Sequence, residues 1–268
     1  MNNIKHVVLD TLIALAIFLI PQYVIGVLFL FLESYFTFDD IGLIVGLSLT
    51  LSSLFVILIV LLTRLISIKK EFNTKLIRWR LAPKMLLAIF AGFFSLNVIA
   101  ESLGFKDVSS WIIDVVIEYK IGIFAVAFLG PIAEELVFRS ALIGKMLKRG
   151  VNPLYAILIS SFIFAVIHFN PIQFIYAFGS GIMFGVLYVK SKSVIPSCIC
   201  HVLNNTIPFI LLMISDDFAD MTYKEIFGSW GVLILLTIIA IYLCVKMFLW
   251  YYRQDREESE CLQINNDI

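Results

Sequence analysis

The chain has 268 residues, 61% hydrophobic and 15% charged, with 20 basic residues balanced by 20 acidic ones. A soluble domain averages about 45–50% apolar and about 25% charged residues, so a water-facing surface for this composition is excluded. With zero net charge, nothing points to nucleic-acid binding, which would need a concentrated basic face.

A transmembrane helix takes roughly 20 mostly apolar residues, so the length accommodates about eight spans and no separate soluble domain. Apolar runs fall at 7–32, 41–67, 84–104, 120–147, 153–169, 171–189, 194–214 and 229–250. Backbone groups in lipid must be satisfied within the segment, so each run predicts a helix. The expected architecture is all-α and polytopic, with about eight transmembrane helices. The first run is too long for a signal-peptide core of about 7–15 residues and reads as a retained span. Residues 69–83 predict a basic loop with an interfacial helix, and 108–119 an amphipathic interfacial stretch. Cys198, Cys200, Cys244 and Cys261 read as small apolar fillers or free thiols, not a disulfide framework.

Basic residues gather in alternate loops: Arg64, Lys69, Lys70, Lys75, Arg78 and Arg80 after the second run, Lys145, Lys148 and Arg149 after the fourth, Lys190 and Lys192 after the sixth, Arg253 and Arg256 after the eighth. Read by the excess of Lys and Arg in cytoplasmic loops, this pattern puts both termini in the cytoplasm. The expected location is the cell membrane.

The fourth run, IGIFAVAFLGPIAEELVFRSALIGKMLK, carries Glu134, Glu135 and Arg139 near its middle. Each charge at a helix centre costs about 2.5–3.5 kcal/mol on insertion scales, and the default reason for one there is a functional site inside the bundle. Glu135 and Arg139 are four apart and can pair; such a pair also serves as a purely structural tie. Glu134 points about 100° away and has no cation of its own on this helix. Pro131 removes a backbone hydrogen bond just upstream and predicts a kink.

The chain has three histidines: His6 in the N-terminal tail, His168 ending the fifth run and His201 opening HVLNN in the seventh. A lone membrane histidine is commonly a helix–helix hydrogen bond. Here Phe164 is four before His168, and Asn205 is four after His201, spacings that share a helix face. At about 1.5 Å per residue, Glu134 and His168 each lie about 21 Å from the inner ends of their spans, while His201 lies only about 10 Å in. Glycines and Ala177 in the sixth run form small-x-x-x-small faces at Ala177/Gly181 and Gly181/Gly185, expected to pack helices closely.

Together Glu134-Glu135-x-x-x-Arg139, Phe164-x-x-x-His168 and His201-x-x-x-Asn205, in order on three apolar segments, resemble the CAAX protease and bacteriocin-processing (Abi) family. The resemblance covers residues 120–214. It implies a catalytic core there, on spans 4, 5 and 7, between N-terminal helices (1–119) and a last helix with a cytoplasmic tail (215–268). It implies a metal-independent glutamate-type intramembrane endopeptidase acting on a membrane-associated peptide or protein. Glu134 would be the general base, His168 would hold the water, His201 and Asn205 would form the oxyanion site, and Glu135 and Arg139 would orient the base. The chemistry agrees: hydrolysis needs a base and donors for the developing oxyanion. No cofactor is implied.

Two other readings stay open. Glu134, His168 and His201 could ligate zinc, since two His and one Glu is a catalytic ligand set, although the HExxH spacing is absent. The family resemblance also extends to bacteriocin immunity and to scaffolding of other membrane proteins, and a polar cluster of this kind can also serve a proton relay. Substrate identity and oligomeric state are not readable from the residues.

Overall fold

The structure, a computed structural model, describes residues 2–35, 41–63, 65–77, 79–104, 115–117, 119–214 and 221–266. The expected interfacial stretch 108–119 lies largely outside the described residues. In chain order the helices are α1 (Asn2–Tyr35), α2 (Ile41–Leu62), the short α3 (Ile68–Glu71), α4 (Ala82–Ser102), α5 (Lys120–Lys148), α6 (Pro153–Val166), α7 (Pro171–Ser191), α8 (Ile195–Ile214), the short α9 (Tyr223–Phe227) and α10 (Trp230–Asn266). Strands are absent among the described residues. The chain is an all-helical, polytopic membrane protein.

Among the described residues seven helices are long and apolar enough to cross a membrane, against about eight expected. The exception is α6, whose 14 residues rise only about 21 Å against a hydrocarbon core of about 30 Å. The cause is local. Asn170 caps α7 by accepting from the Ile172 N–H at 3.1 Å, and Pro171 occupies the first turn of that helix. The apolar run at 153–169 therefore ends in a tight turn, and His168 lies in that turn and not inside a helix.

The centre of the bundle is α5. Over its most apolar stretch 56% of residues are buried, against 11% in α1 and in the first part of α10. Residues 135–144 are buried without interruption, so α5 has no lipid-facing side there. Its turns at Ala125–Leu129 and Leu136–Ile143 are wider than α-helical: Gly130 N–H reaches the Ala125 carbonyl and Gly144 N–H reaches that of Arg139, five residues back. Wide turns of this kind are frequent at functional sites. Ser160 of α6 donates to the Phe138 carbonyl in one of them, at 2.9 Å.

The glycine face of α7 packs as its spacing predicts. A Cβ at Gly181 would meet Ser161 Cβ at 3.0 Å, and one at Gly185 would meet Ile157 at 2.9 Å, so α6 and α7 approach at a distance only a hydrogen side chain permits. The basic loop 69–83 carries α3 and two single 3₁₀ turns, Thr74–Leu76 and Trp79–Leu81. It is tied down by Glu71, whose carbonyl accepts from Ser193 Oγ at 2.8 Å and Val194 N–H at 2.9 Å.

Candidate active site

Every singled-out charge of α5 meets α6, α7 or α8. Glu135 and Arg139 are both fully buried, with Arg139 Nε 3.1 Å from Glu135 Oε2. The guanidinium lies over the faces of Phe164 (4.8 Å) and Phe184 (5.6 Å), a cation–π arrangement strengthened by exclusion of water. The other carboxylate oxygen of Glu135 accepts from His201 Nδ1 at 3.0 Å. Glu135 is thus shared between a cation on its own helix and an imidazole on α8.

Glu134 finds the partner its helix does not supply. Its Oε2 lies 3.6 Å from His201 Nε2, and its side chain keeps 20% of its exposure while that of Glu135 keeps none. One carboxylate is locked into the core and the other faces open space beside the same imidazole. Their one-residue offset on α5 produces this division, because neighbours point about 100° apart.

The two imidazoles flank one ring. Phe164 meets His168 edge-on at 4.9 Å between centroids and His201 edge-on at 6.0 Å. Phe184 stacks on the opposite side of His201 at 4.7 Å. The Phe164 carbonyl accepts a hydrogen bond from His168 Nδ1 at 2.7 Å. A carbonyl can only accept, so Nδ1 carries the proton and Nε2 of the neutral ring has a free lone pair. The turn that positions this ring includes Phe169 at φ 50°, a left-handed conformation uncommon for a bulky residue. Asn205, one turn beyond His201, donates from Nδ2 to the Val126 carbonyl at 3.2 Å.

The structure therefore brings Glu134, Glu135, Arg139, Phe164, His168 and His201 together, with Asn205 next to them on α8. The simple rise estimate left His201 too shallow to reach Glu134. The gap closes because α8 starts inside the fold: Ser193 and Val194, just before it, are fully buried beneath the Glu71 loop. Sequence reasoning missed Phe184, one of many apolar residues in its span, and Glu71, which reads as one more charge in a solvated KKEF loop. Glu71 is only 2% exposed and accepts from the Tyr188 hydroxyl at 3.3 Å. Burial pushes its carboxyl above the usual range, partly offset by Tyr188, Ser140, Lys70 and Lys148. The described cysteines, Cys198, Cys200 and Cys244, are free thiols.

Residues 117–207 match the family model for type II CAAX prenyl endopeptidases, Rce1-like. The chain is 31% identical over 157 residues to "Membrane-embedded CAAX protease MroQ" of Staphylococcus aureus (strain USA300), covering 55% of this chain and 63% of that protein. It is 30% identical over 102 residues to "Putative membrane peptidase YdiL" of Bacillus subtilis (strain 168), covering 38% of this chain and 41% of the relative. The chain thus spans less than two thirds of the length of the curated relatives it matches. No solved structure matches significantly. All seven motif residues lie inside the segment 117–207 that is similar to the Rce1-like CAAX endopeptidase family.

Proposed function

We propose that the protein is an intramembrane endopeptidase that uses Glu134 to activate a water against a peptide bond of a membrane-associated peptide or protein. The observation that carries this reading is the division of labour between adjacent carboxylates: Glu135 is neutralised by Arg139 inside the core, and Glu134 is left facing His201 at 3.6 Å.

In the proposed reaction the water lies between Glu134 and His168, whose Nε2 lone pair accepts a hydrogen bond from the O–H that the water keeps. Glu134 takes the water's one transferred proton as the water oxygen bonds to the substrate carbonyl carbon. The resulting oxyanion is met by His201 and by the amide N–H of Asn205 that Val126 does not use. With both ring nitrogens protonated, His201 donates from Nδ1 to Glu135 and from Nε2 to the oxyanion. The C–N bond then breaks, and Glu134 returns its proton to the leaving amine. No serine or cysteine nucleophile enters, and the chemistry is proposed to be metal-independent, as the family resemblance implies. The loop charges support a cytoplasmic location for both termini.

The test is comparative peptidomics of membranes carrying wild-type protein or Glu134→Ala, with and without a chelator, alongside a fluorescence-quenched peptide ending in a farnesylated CAAX sequence. Products made by wild type and lost in Glu134→Ala are expected, unchanged by the chelator. Loss of products on chelation would favour a zinc peptidase. Identical peptide pools would favour an immunity or scaffolding role. A fully active Glu134→Gln would end the general-base assignment.

A further inference from the structure

Asn205 is the end of a hydrogen-bonded chain, and the chain has only one orientation. Its Nδ2 lies 3.2 Å from the Val126 carbonyl, which can only accept. That contact decides which end of the Asn205 amide is nitrogen and turns Oδ1 toward Asn204. Asn204 must therefore donate, and its Nδ2 lies 3.1 Å from Asn205 Oδ1. Asn204 Oδ1 is then left facing Tyr176 of α7, whose hydroxyl donates to it. One backbone carbonyl thus fixes two side-chain amides and a phenol.

The carbonyl is available for a sequence reason. In the wide turn Ala125–Leu129, Gly130 N–H goes to Ala125. The donor five residues past Val126 is Pro131, which has no N–H. The proline that sequence reading expects to kink α5 leaves a carbonyl for α8 to take. Hydrogen bonds aligned head to tail polarise one another, so the chain sharpens the donor strength of the remaining Asn205 N–H.

We propose that Tyr176 and Asn204 are positioning residues, which hold the Asn205 amide with one N–H on Val126 and the other aimed at the substrate oxyanion. This inference rests on the peptidase reading for its catalytic consequence, although not for its geometry. Neither residue belongs to the three motifs that carry the family resemblance, and neither would touch substrate.

Two measurements on the full chain in detergent test it. With selectively 15N-labelled asparagine, the side-chain amide signal of Asn205 is assigned by its loss in Asn205→Ala. Tyr176→Phe, which removes only the hydroxyl, should shift that signal while asparagines outside α8 stay in place. Asn204→Asp keeps the acceptor for Tyr176 but cannot donate to Asn205, and should shift it too, which covers the case of a Tyr176→Phe that does not fold. On the farnesylated probe peptide, Tyr176→Phe should lower kcat by about three- to tenfold, the range of one neutral hydrogen bond, with KM within about twofold. In an Asn205→Ala background it should cost nothing further. An Asn205 signal unmoved by both variants, or an equal loss in kcat with and without Asn205, overturns the proposal. Equal cleavage by wild type and Glu134→Ala would instead remove the peptidase reading, and the amide signal would still decide the orientation.

Discussion

Helix α5 carries two acid–base clusters of similar composition in opposite surroundings. At its middle, Glu135 and Arg139 are both fully buried and enclosed by Phe164, Phe184 and His201. At its C-terminal end, Lys145 and Arg149 reach Asp10 of α1 at 3.5 and 2.5 Å, with 24% and 31% of their side chains exposed. The central pair cannot be rehydrated if one partner is lost; the terminal cations can. The first cluster is therefore part of the internal geometry of the site, and the second is a tie between helix ends. Distance alone does not separate them, since both contain a contact of 3.1 Å or less. Access of the cations to water does: Arg139 has none, while Lys145 and Arg149 keep 24% and 31% of their exposure around a buried Asp10.

The largest effect that would test this contrast is expected at Arg139. Arg139→Ala leaves Glu135 buried without its cation, a situation that costs about 3–5 kcal/mol. It also removes the group stacked between two phenylalanines. A loss of that size should appear as a large drop in thermal unfolding temperature in detergent. A variant with wild-type stability would mean that water reaches the pair. Restoring shape without charge in a double Glu135→Leu, Arg139→Met variant should recover stability but not peptidase activity, because His201 then loses its Nδ1 partner.

Asn205→Ala comes next and, in the proposed reaction, touches the chemistry and not the core. Loss of one oxyanion donor costs about 2.7–4 kcal/mol of transition-state stabilisation, or about 10²–10³ in kcat. Folding should change little, because Asn205 is only half-buried. A kcat within threefold of wild type would remove Asn205 from the oxyanion site.

How much of this was legible in the residues follows from what each observation depends on. Spacing shows that Glu135 can reach Arg139 and that Glu134 points elsewhere, because both facts belong to one helix. Ordered motifs on separate spans suggest convergence on one site. The tertiary details were not legible. That His168 sits in a turn depends on Asn170 and Pro171 ending an apolar run early, a break hydropathy does not register. That His201 lies level with Glu134 depends on a helix starting beneath a loop, and so on Glu71. A lone acid among lysines looks solvated until the fold closes over it.

Glu71 offers a third setting for a carboxylate: buried, yet met by a phenol. Its carboxyl is held above its ordinary value of 4.5 mainly by burial. A raised carboxyl in the folded state means that the native protein holds this proton more tightly than the unfolded chain does. Stability from this group is then complete below the ordinary carboxylate value and is lost as pH rises through the raised one. Glu71→Gln should flatten that part of the profile of unfolding temperature against pH and leave the protein more stable than wild type at neutral pH. A parallel decline in both proteins would show that another group is responsible.

The smallest effect is expected at the rim. Asp10→Asn removes the anion that Lys145 and Arg149 share, but both cations keep access to water and can be solvated in place. The Asp10 side chain itself is buried at 6% exposure, but its cations keep 24% and 31% of theirs, and ion pairs open to water on one side contribute little and are screened by salt. Cleavage by Asp10→Asn should stay close to wild type, and any shift in unfolding temperature should shrink as salt is raised. A loss comparable to that of Arg139→Ala, persisting in high salt, would show that the end of α1 controls the geometry around Glu134. The contrast between the two clusters would then come from leverage along α5 and not from water.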